Sequence, residues 1–373
     1  MHKTPPRPFR VAMVAPSTDI LGGQAVQADR LLRAWRGDPD VHAWLVPINP
    51  LPRGFFRRAV AIKYVRTIAT QLWYWPLLVR ELRNADVAHV FSASYFSFLL
   101  APLPAVLVAK ALGKPVVMNY RSGEAPDHLR RSMVARATLR WVDRNAVPSR
   151  FLRDVFAEHD IQAEIIPNIV DVDRFAFRPR TPLRPNLLST RNFDGLYNVA
   201  CTLRAFRLVQ DRFPEATLTL VGAGPCESRL RTLAEELRLQ NVHFAGRVAP
   251  DHIWRYYAEA DIYVQTPDID NMPSSVLEAF ASGCAVVSTR AGGVPAILRD
   301  GQHGLLVDCG DHQAAADRII RLLNDPALAD QLTAEARRSC EQYQWQSVRA
   351  RWLSLYESTL TSGVAATSTA SVR

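Results

Sequence analysis

Short apolar runs alternate with longer mixed stretches along most of the 373 residues. In both halves of the chain the runs have the length of buried strands, and the stretches between them favour helices. Strands that alternate with helices predict parallel sheets covered by helices on both faces. The predicted strands are Arg10–Ala15, Val41–Val46, Val87–Phe91, Val116–Asn119 and Asn145–Pro148 in the first half, and Asn186–Thr190, Thr217–Val221, Val242–Phe244, Ile262–Gln265 and Ala285–Ser288 in the second.

The length of the chain suits two domains rather than one. Three prolines lie among basic residues in the segment 174–185, which is typical of a linker. The end of the chain is small and polar, so we expect disorder there. The predicted parts are residues 1–178 for the first domain, 179–342 for the second, 343–362 for a C-terminal helix and 363–373 for a disordered tail.

The composition is that of an ordinary globular protein, with 48% hydrophobic and 22% charged residues. The sequence shows no signal-peptide pattern and no apolar span of transmembrane length. The five cysteines form no C-x-x-C pair, and the nine histidines follow no zinc pattern. We therefore expect reduced thiols, a cytoplasmic location, and neither a metal nor a cofactor.

Positive charge is concentrated in the first half of the chain. Residues 1–180 carry 26 basic and 15 acidic side chains, whereas residues 181–373 carry 19 and 21. An anionic membrane, a nucleic acid or an acidic acceptor could explain this balance. Because no nucleic-acid module is recognisable, we expect no nucleic-acid partner. The segment 53–75 is basic, aromatic and amphipathic, which predicts either binding to an anionic membrane surface or a helix packed on the first domain.

Two carboxylates, Asp270 and Glu278, are separated by seven residues that start as a loop and continue as a helix. Pro273 and the serines that follow it favour a helix start, and Gly283 favours its end. The free N–H groups at a helix start attract phosphate. Carboxylates on either side of a phosphate site suit a ligand with sugar hydroxyls flanking a diphosphate, which describes a nucleotide sugar.

The stretch from Asp268 to Val307 resembles the signature of the retaining glycosyltransferases of family 4, whose usual pattern is Glu-x7-Glu; Asp270 is in the first position here. The resemblance implies the GT-B fold: an α/β protein with two Rossmann-like domains facing across a cleft, and a C-terminal helix that crosses back to the first domain. It also implies transfer of a hexose from a nucleotide-diphosphate sugar to a saccharide or lipid-linked acceptor, as in the synthesis of cell-surface polysaccharide or glycolipid.

The resemblance also assigns donor contacts, with Glu278 on the ribose and Asp270 on the transferred sugar. The remaining donor-side residues that it implies are Asn271, Met272 and Pro273 beside the sugar, Ser275 and Val276 at the diphosphate, Gly222 and Gly224 in a glycine loop, Arg247 and Val248 near the base, and Gly22 and Gly23 in the first domain. For the glycine loop, a tight strand-to-helix turn is an equally good interpretation.

Two arginines are implied to act on the departing diphosphate. Arg191 matches the family's diphosphate-binding arginine, but the Lys-Gly that usually follows is absent. Arg121 is at the position of the family's usual histidine, and it could supply the missing positive charge. His128 lies nearby in the sequence, and we predict a solvated surface histidine there.

In a retaining GT-B enzyme the leaving diphosphate itself accepts the acceptor's proton, and the resemblance implies that no metal is needed. The protein then contributes positioning and charge stabilisation. Two other hypotheses stay open, the first of them because of the departures at Asp270, Arg121 and the missing lysine. One is a GT-B protein that binds a sugar, a nucleotide or a partner with weak turnover, and the other is a nucleotide-sugar epimerase.

Overall fold

A computed structural model describes residues 7–17, 23–50 and 63–370, without the side chains of 63–69 and 362–370. The chain divides into two compact units. The first comprises Met1–Pro167 and Val348–Arg373, and the second comprises Asn168–Ser347.

The first unit is built on a six-stranded parallel sheet with the order β2-β1-β3-β4-β5-β6. Its strands are β1 Phe9–Ala15, β2 Val41–Pro47, β3 Val87–Phe91, β4 Val116–Asn119, β5 Arg144–Val147 and β6 Glu164–Ile165. Its helices are α1 Gly23–Ala34, α2 Lys63–Arg83, α3 Phe96–Leu100, α4 Pro102–Ala111, α5 Ala125–Arg131, α6 Met133–Trp141 and α7 Arg150–Ala157. The predicted parallel sheet is confirmed, and β6 is an addition to it.

The second unit repeats this plan with the strand order β12-β11-β10-β7-β8-β9. Its strands are β7 Asn186–Ser189, β8 Thr217–Val221, β9 Val242–Gly246, β10 Ile262–Gln265, β11 Ala285–Thr289 and β12 Leu305–Val307. Its α-helices are α8 Val199–Arg212, α9 Glu227–Glu236, α10 Trp254–Glu259, α11 Ser274–Ser282, α12 Val294–Ile297, α13 His312–Asn324 and α14 Pro326–Ser339. Two short 3-10 helices are Gly195–Tyr197 and Cys340–Tyr343. All pairings are again parallel.

At the amino-terminal edge of both sheets, aspartates that directly precede strands accept hydrogen bonds from neighbouring backbone segments. Asp86 precedes β3 and accepts the backbone N–H of Arg10 at 3.0 Å, while Asp143 precedes β5 and accepts that of Val116 at 2.7 Å. Asp261, before β10, accepts the backbone N–H of Arg184 at 2.7 Å. Each carboxylate also pairs with a basic side chain, so a charge-assisted bond reinforces the sheet edge.

The last helix, α15, runs from Trp345 to Ala370, and its residues from Val348 belong to the first unit. Arg349 donates to Asp38 at 2.7 Å, and Trp352 packs on His89 with ring centroids 4.6 Å apart. The predicted return of the C-terminal helix to the first domain is confirmed. The helix continues through residues 363–370, where disorder was predicted, and residues 371–373 lie outside the described part.

The proline-rich segment 174–185 is not a free linker. Phe175 is buried in the core of the second unit, and the side chain of Arg180 is 1% exposed and donates to the carbonyls of Tyr257 and Ala260. The first unit ends at Pro167, so the predicted boundary at residue 178 is displaced. Composition alone could not reveal these acceptors, because they are about 80 residues away in the sequence.

Candidate functional site

The sheet of the second unit reverses its direction of strand addition between β7 and β10, which are neighbours in space. In open parallel sheets, ligands bind outside the carboxyl ends of the strands at this switch point. Arg191 follows β7, and the loop with Asp270 follows β10 and leads into α11. The topology therefore brings two of the three predicted catalytic residues to the same place.

Arg191 and Asp270 form an ion pair at this switch point. The guanidinium Nη2 donates to Asp270 Oδ2 at 2.6 Å, and the two side chains are 10% and 11% exposed. Arg191 Nη1 donates to Ser275 Oγ at 3.2 Å, and the guanidinium carbon lies 4.0 Å from the Tyr197 ring centroid. Nε of Arg191 is buried with no hydrogen-bond partner among the described residues. The arginine is thus oriented from three sides.

Burial and charge act against each other in this pair. Burial raises the pKa of Asp270, and the nearby Arg191 charge only partly opposes that shift. For Arg191, burial by itself lowers the pKa, but the Asp270 charge and neighbouring tyrosines outweigh it and the net pKa is raised. The guanidinium therefore keeps its charge, and an anionic ligand could replace Asp270 as its partner.

Buried polar side chains of β10 and β11 are hydrogen-bonded to Ser275, which contacts the Arg191 side of the ion pair. Ser275 Oγ donates to Gln265 Oε1 at 3.2 Å, and Gln265 Nε2 donates to Ser288 Oγ at 3.0 Å. Tyr263 donates to the same Gln265 oxygen at 3.2 Å. Gln265 and Ser288 are in register on β10 and β11, so the hydrogen bond between them follows from the strand pairing. Such a satisfied network fixes the orientation of the groups above it.

Glu278 lies one turn inside α11 and is 7% exposed. Its charge, together with burial as the larger cause, raises the pKa of Tyr257 well above the usual value for tyrosine. The Tyr257 hydroxyl donates to the Ser275 carbonyl at 3.2 Å and lies 2.7 Å from the Thr190 hydroxyl. Tyr257 therefore links the helix of Glu278 to the end of β7.

The loop of Asn271, Met272 and Pro273 is held in place by two distant segments. Asn168 Nδ2 donates to the Met272 carbonyl at 2.8 Å, and the backbone N–H of Gly293 donates to the Asp270 carbonyl at 3.2 Å. Asn271, Met272 and Pro273 are all buried residues, so the loop is packed into the second unit.

The helix α11 starts where Pro273 and the serines predict, at Ser274. Pro273 is the N-cap residue, and among the described residues no side chain caps this helix. Ser275 instead uses its hydroxyl on Gln265 and Arg191. No serine hydroxyl caps the N-terminal amides of this helix in the described residues, and the backbone N–H of Val276 donates to the Pro273 carbonyl at 3.2 Å. The partial positive charge of the helix N-terminus still favours an anion at this end. Gly283 ends the helix with φ +79°, as predicted.

Gly222 and Gly224 are needed for a close contact inside the protein. A Cβ atom on Gly222 would lie 2.2 Å from the Arg191 carbonyl oxygen, and one on Gly224 would lie 2.4 Å from that of Phe193. The backbone N–H of Phe193 donates to the carbonyl of Ala223 at 3.2 Å. These contacts favour the tight-turn interpretation, and the turn supports the backbone of Arg191. Nearby, the predicted base-side residues differ in exposure: Arg247 is exposed and Val248 is half-buried.

In the first unit, Arg121 follows β4 at the carboxyl edge of the sheet. Its backbone N–H donates to Ser92 Oγ at 3.0 Å, and its Nε donates to Asn119 Oδ1 at 2.8 Å. Burial lowers the pKa of Arg121, whose guanidinium carbon is 5.6 Å from the Phe91 ring centroid. Gly23 is the first residue of α1, and Gly22 lies outside the described residues.

His128 is a buried residue, so the prediction of a solvated surface histidine is wrong. It is 1% exposed, its Nδ1 lies 2.8 Å from the Tyr120 hydroxyl, and its ring packs on Tyr95 and Phe98. Burial lowers its pKa. It lies on the inner face of α5, a helix too short to show that face in its sequence pattern.

The basic and aromatic segment 53–75 is only partly within the described chain. Residues 53–62 lie outside it, and α2 begins at Lys63. Tyr74 is fully buried and donates to the Ala101 carbonyl at 3.0 Å, which shows that one helix face packs on the first unit. Leu72 and Trp73 are 71% and 59% exposed on the same helix. None of the described helices is long and apolar enough to cross a bilayer.

Two protein-family models match this chain, one in each half. A model of the family described as "Glycosyl transferases group 1" matches residues 176–339, and the "Glycosyltransferase Family 4" model matches residues 21–174. The chain belongs to glycosyltransferase family 4.

Curated relatives of this glycosyltransferase cover most of its length. It is 27% identical over 372 residues to a phosphatidyl-myo-inositol mannosyltransferase of Mycobacterium leprae, covering 95% of this chain and 98% of the relative. It is 25% identical over 320 residues to a sulfoquinovosyl transferase of Arabidopsis thaliana, covering 79% of this chain and 61% of that relative. The chain thus spans less than two thirds of the plant protein.

Solved structures share the fold of this glycosyltransferase. Sucrose-phosphate synthase from Thermosynechococcus elongatus matches with a TM-score of 0.76 at 19% identity, covering 95% of this chain and 100% of that one. Anabaena HepE in complex with UDP-glucose matches with a TM-score of 0.74 at 17% identity, with the same coverages. Together with the two parallel sheets, these matches show the GT-B fold.

Several site residues of the glycosyltransferase escaped the sequence analysis. Gln265 ends β10 and Ser288 is the last but one residue of β11, and a polar residue near the carboxyl end of an apolar run is a signal that could have indicated them. Tyr257 and Tyr263 resemble ordinary core aromatics in the sequence. Asn168 is about a hundred residues from the loop that it holds, and no local pattern marks it.

Proposed function

We propose that this glycosyltransferase binds a nucleotide-diphosphate sugar at the switch point of its second unit and transfers the hexose, with retention of configuration, to a lipid-linked acceptor. The observation that carries the proposal is the joint placement of Arg191, Asp270 and the start of α11 at the carboxyl ends of β7 and β10. Anabaena HepE, which has the same fold, is described in complex with UDP-glucose.

The donor would use this arrangement in two parts. Its diphosphate lies at the start of α11, where it takes Arg191 from Asp270 and accepts N–H groups of Ser275 and Val276. Asp270, once released, accepts hydroxyls of the transferred sugar, and Glu278 accepts those of the ribose. Binding thus exchanges one ion pair for two sets of charge-assisted hydrogen bonds.

In this proposal the reaction uses no metal. The leaving diphosphate oxygen accepts the acceptor's proton while the new bond forms on the same face of an oxocarbenium-like sugar. The protein positions the reactants and stabilises the developing phosphate charge. In the second unit, Arg191 supplies that charge.

A lipid-linked acceptor suits the surface of the first unit. Leu72, Trp73 and Trp75 are exposed on α2, and Met133 and Trp141 are 76% and 50% exposed on α6. Exposed tryptophans beside arginines are suited to an anionic membrane surface. The mycobacterial relatives are named for a phosphatidylinositol acceptor. We therefore expect a peripheral protein on the cytoplasmic face of a membrane, active in glycolipid synthesis.

The donor proposal is tested with a panel of UDP-, GDP- and ADP-sugars and lipid acceptors, with product release and anomeric configuration followed by NMR. We expect turnover with at least one donor, unchanged after EDTA treatment, and loss of turnover in Arg191→Met. Arg212→Met, at an exposed arginine of the same unit that is not among the predicted site residues, is the control. Tight nucleotide binding without any turnover would instead support a binding protein, and an altered donor sugar without transfer would support an epimerase.

The membrane proposal is tested by sedimentation with anionic vesicles. We expect Trp73→Ser to weaken binding, and the matched control Trp254→Ser, at an exposed tryptophan of the second unit, to leave it unchanged. Equal binding by both variants would refute the assignment of the docking surface to α2.

A further inference from the structure

Four side chains form a hydrogen-bonded line through the interior of the first unit. Tyr356 OH on α15 lies 2.8 Å from His89 Nδ1, and His89 Nε2 lies 2.9 Å from Asn119 Nδ2. Asn119 Oδ1 accepts from Arg121 Nε at 2.8 Å. The line joins residues up to 267 apart in sequence and ends on the first-unit arginine predicted to be catalytic. We call it the Arg121 relay.

The middle of the relay is fully enclosed. His89 and Tyr356 are 0% exposed, and Asn119 is 1% exposed. The His89 ring stacks on Phe91 with centroids 5.2 Å apart. Burial, assisted by the Arg121 charge, lowers the pKa of His89 to about 3, so the ring is neutral at physiological pH. Buried polar groups of this kind cost stability unless every partner is satisfied.

The chemistry of the groups fixes the direction of every bond. A guanidinium only donates, so Asn119 must turn its carbonyl oxygen to Arg121 and its amide nitrogen to His89. His89 Nε2 must then accept, which places the single proton of the neutral ring on Nδ1. Nδ1 in turn donates to the Tyr356 oxygen. All the hydrogen bonds of the relay form together with one orientation of the Asn119 amide and one tautomer of the His89 ring.

We propose that His89, Asn119 and Tyr356 are positioning residues that hold the Arg121 guanidinium for sugar transfer; this inference rests on the proposed function. The hydrogen bond from the Arg121 backbone N–H to Ser92 fixes the position of the Arg121 backbone. The hydrogen bond from Arg121 Nε to Asn119 fixes the plane of the guanidinium. A planar fork is effective only when its plane is set. Tyr356 makes the C-terminal helix part of that support.

A purely structural role would not require this arrangement. A core position between Phe91 and Trp352 could be filled by an apolar ring without the cost of burying polar groups. The relay instead places three buried polar residues in series, and it ends at Arg121, the residue of predicted function. The bond directions make the inference testable without an activity measurement.

The first experiment reads the His89 tautomer by NMR of the 15N-histidine-labelled full chain. We expect a protonated Nδ1 and an unprotonated Nε2 in the parent protein. Asn119→Asp still accepts from Arg121 but cannot donate, so we expect the proton to move to Nε2. The opposite tautomer in the parent, or no change in Asn119→Asp, would overturn the relay.

The second experiment is a kinetic double-mutant cycle. We expect Tyr356→Phe to lower kcat about tenfold, the worth of one hydrogen bond, with donor KM nearly unchanged. Arg121→Lys keeps the charge but lacks Nε, so adding Tyr356→Phe to it should cause no further loss. Tyr74→Phe is the control, because Tyr74 is an equally buried tyrosine of the same unit whose hydroxyl bonds a backbone carbonyl instead.

The outcomes separate this inference from the proposed function. Absence of transfer in the parent protein would refute the proposed function. Transfer in the parent with equal kcat values for Tyr356→Phe and Tyr74→Phe would overturn the relay alone. If Tyr356→Phe still lowers kcat about tenfold in the Arg121→Lys background, the Tyr356 hydroxyl acts on catalysis without Arg121 Nε. That result would also overturn the relay.

Discussion

Replacing Asp270 by asparagine removes the charge that balances Arg191 while keeping the shape of the side chain. In the structure the two charged atoms are 2.6 Å apart, and both side chains are close to nine-tenths buried. Asn271 also donates its backbone N–H to Asp270 Oδ1 at 2.8 Å, a bond that an amide oxygen can still accept. Asparagine has a single oxygen, so when that oxygen accepts from Asn271 the amide nitrogen faces the Arg191 guanidinium. The perturbation is therefore the loss of one charge together with the hydrogen bond that it accepted from Arg191.

The magnitude follows from the burial of the pair. Breaking a buried ion pair by removing one partner costs about 3–5 kcal/mol, because the remaining charge is left without compensation. The Tyr197 ring, 4.0 Å from the guanidinium, contacts it in the parent and in the variant alike, so this contact does not change the expected loss. We expect Asp270→Asn to lose about 3 kcal/mol, which lowers Tm by about 6–12 °C for a unit of this size.

The assay is thermal and urea unfolding with and without UDP or GDP. A nucleoside diphosphate supplies the missing negative charge, so it should raise the Tm of Asp270→Asn more than that of the parent. In Asp270→Asn/Arg191→Met the unpaired charge is gone, and most of the lost stability should return. Asp211→Asn is the control, since its pair with Arg207 is exposed and is worth less than about 1 kcal/mol.

Two results would refute this reasoning. If Asp270→Asn is as stable as the control, the pair does not contribute as its burial implies. If the double variant is no more stable than the single one, the loss does not come from an unpaired guanidinium, and Asp270 stabilises the loop in some other way.

Three further predictions concern the supports of the site and the sheet. Gly222→Ala should lose about 1–3 kcal/mol and weaken diphosphate binding in calorimetry, because its Cβ would overlap a backbone carbonyl; Gly195→Ala, with nothing within 4 Å, should match the parent. Burial alone would raise the pKa of Asp261, but arginine hydrogen bonds lower it, so its stabilisation is full above the ordinary aspartate pKa and is lost as pH falls through the lowered pKa. Asp261→Asn should therefore be less stable at pH 7 and lose less Tm than the parent below about pH 4. Asn168→Ala, which frees the Met272 carbonyl, should raise donor KM and cost about 1 kcal/mol in urea unfolding; an unchanged KM would show that the loop is held without it.

Much of the scaffold could be predicted from local patterns. The apolar runs located ten of the twelve strands in the described part of the chain, and strand–helix alternation indicated parallel sheets. The short β6 and β12 were missed because two- and three-residue strands leave little periodic signal. His128 was misjudged because its burial comes from Tyr95, Phe98 and Tyr120, which surround it only after folding.

The sequence by itself determined the elements, the order in which they occur and the family of the chain, because hydrophobic periodicity and the Asp270–Glu278 spacing are local properties. Only the tertiary structure decided which of these residues meet. Arg191 reaches Asp270 across 79 residues because β7 and β10 are neighbours in the sheet, and Tyr356 reaches His89 because the last helix returns to the first unit. Contacts between distant residues depend on strand order and chain return, and no window of sequence contains them.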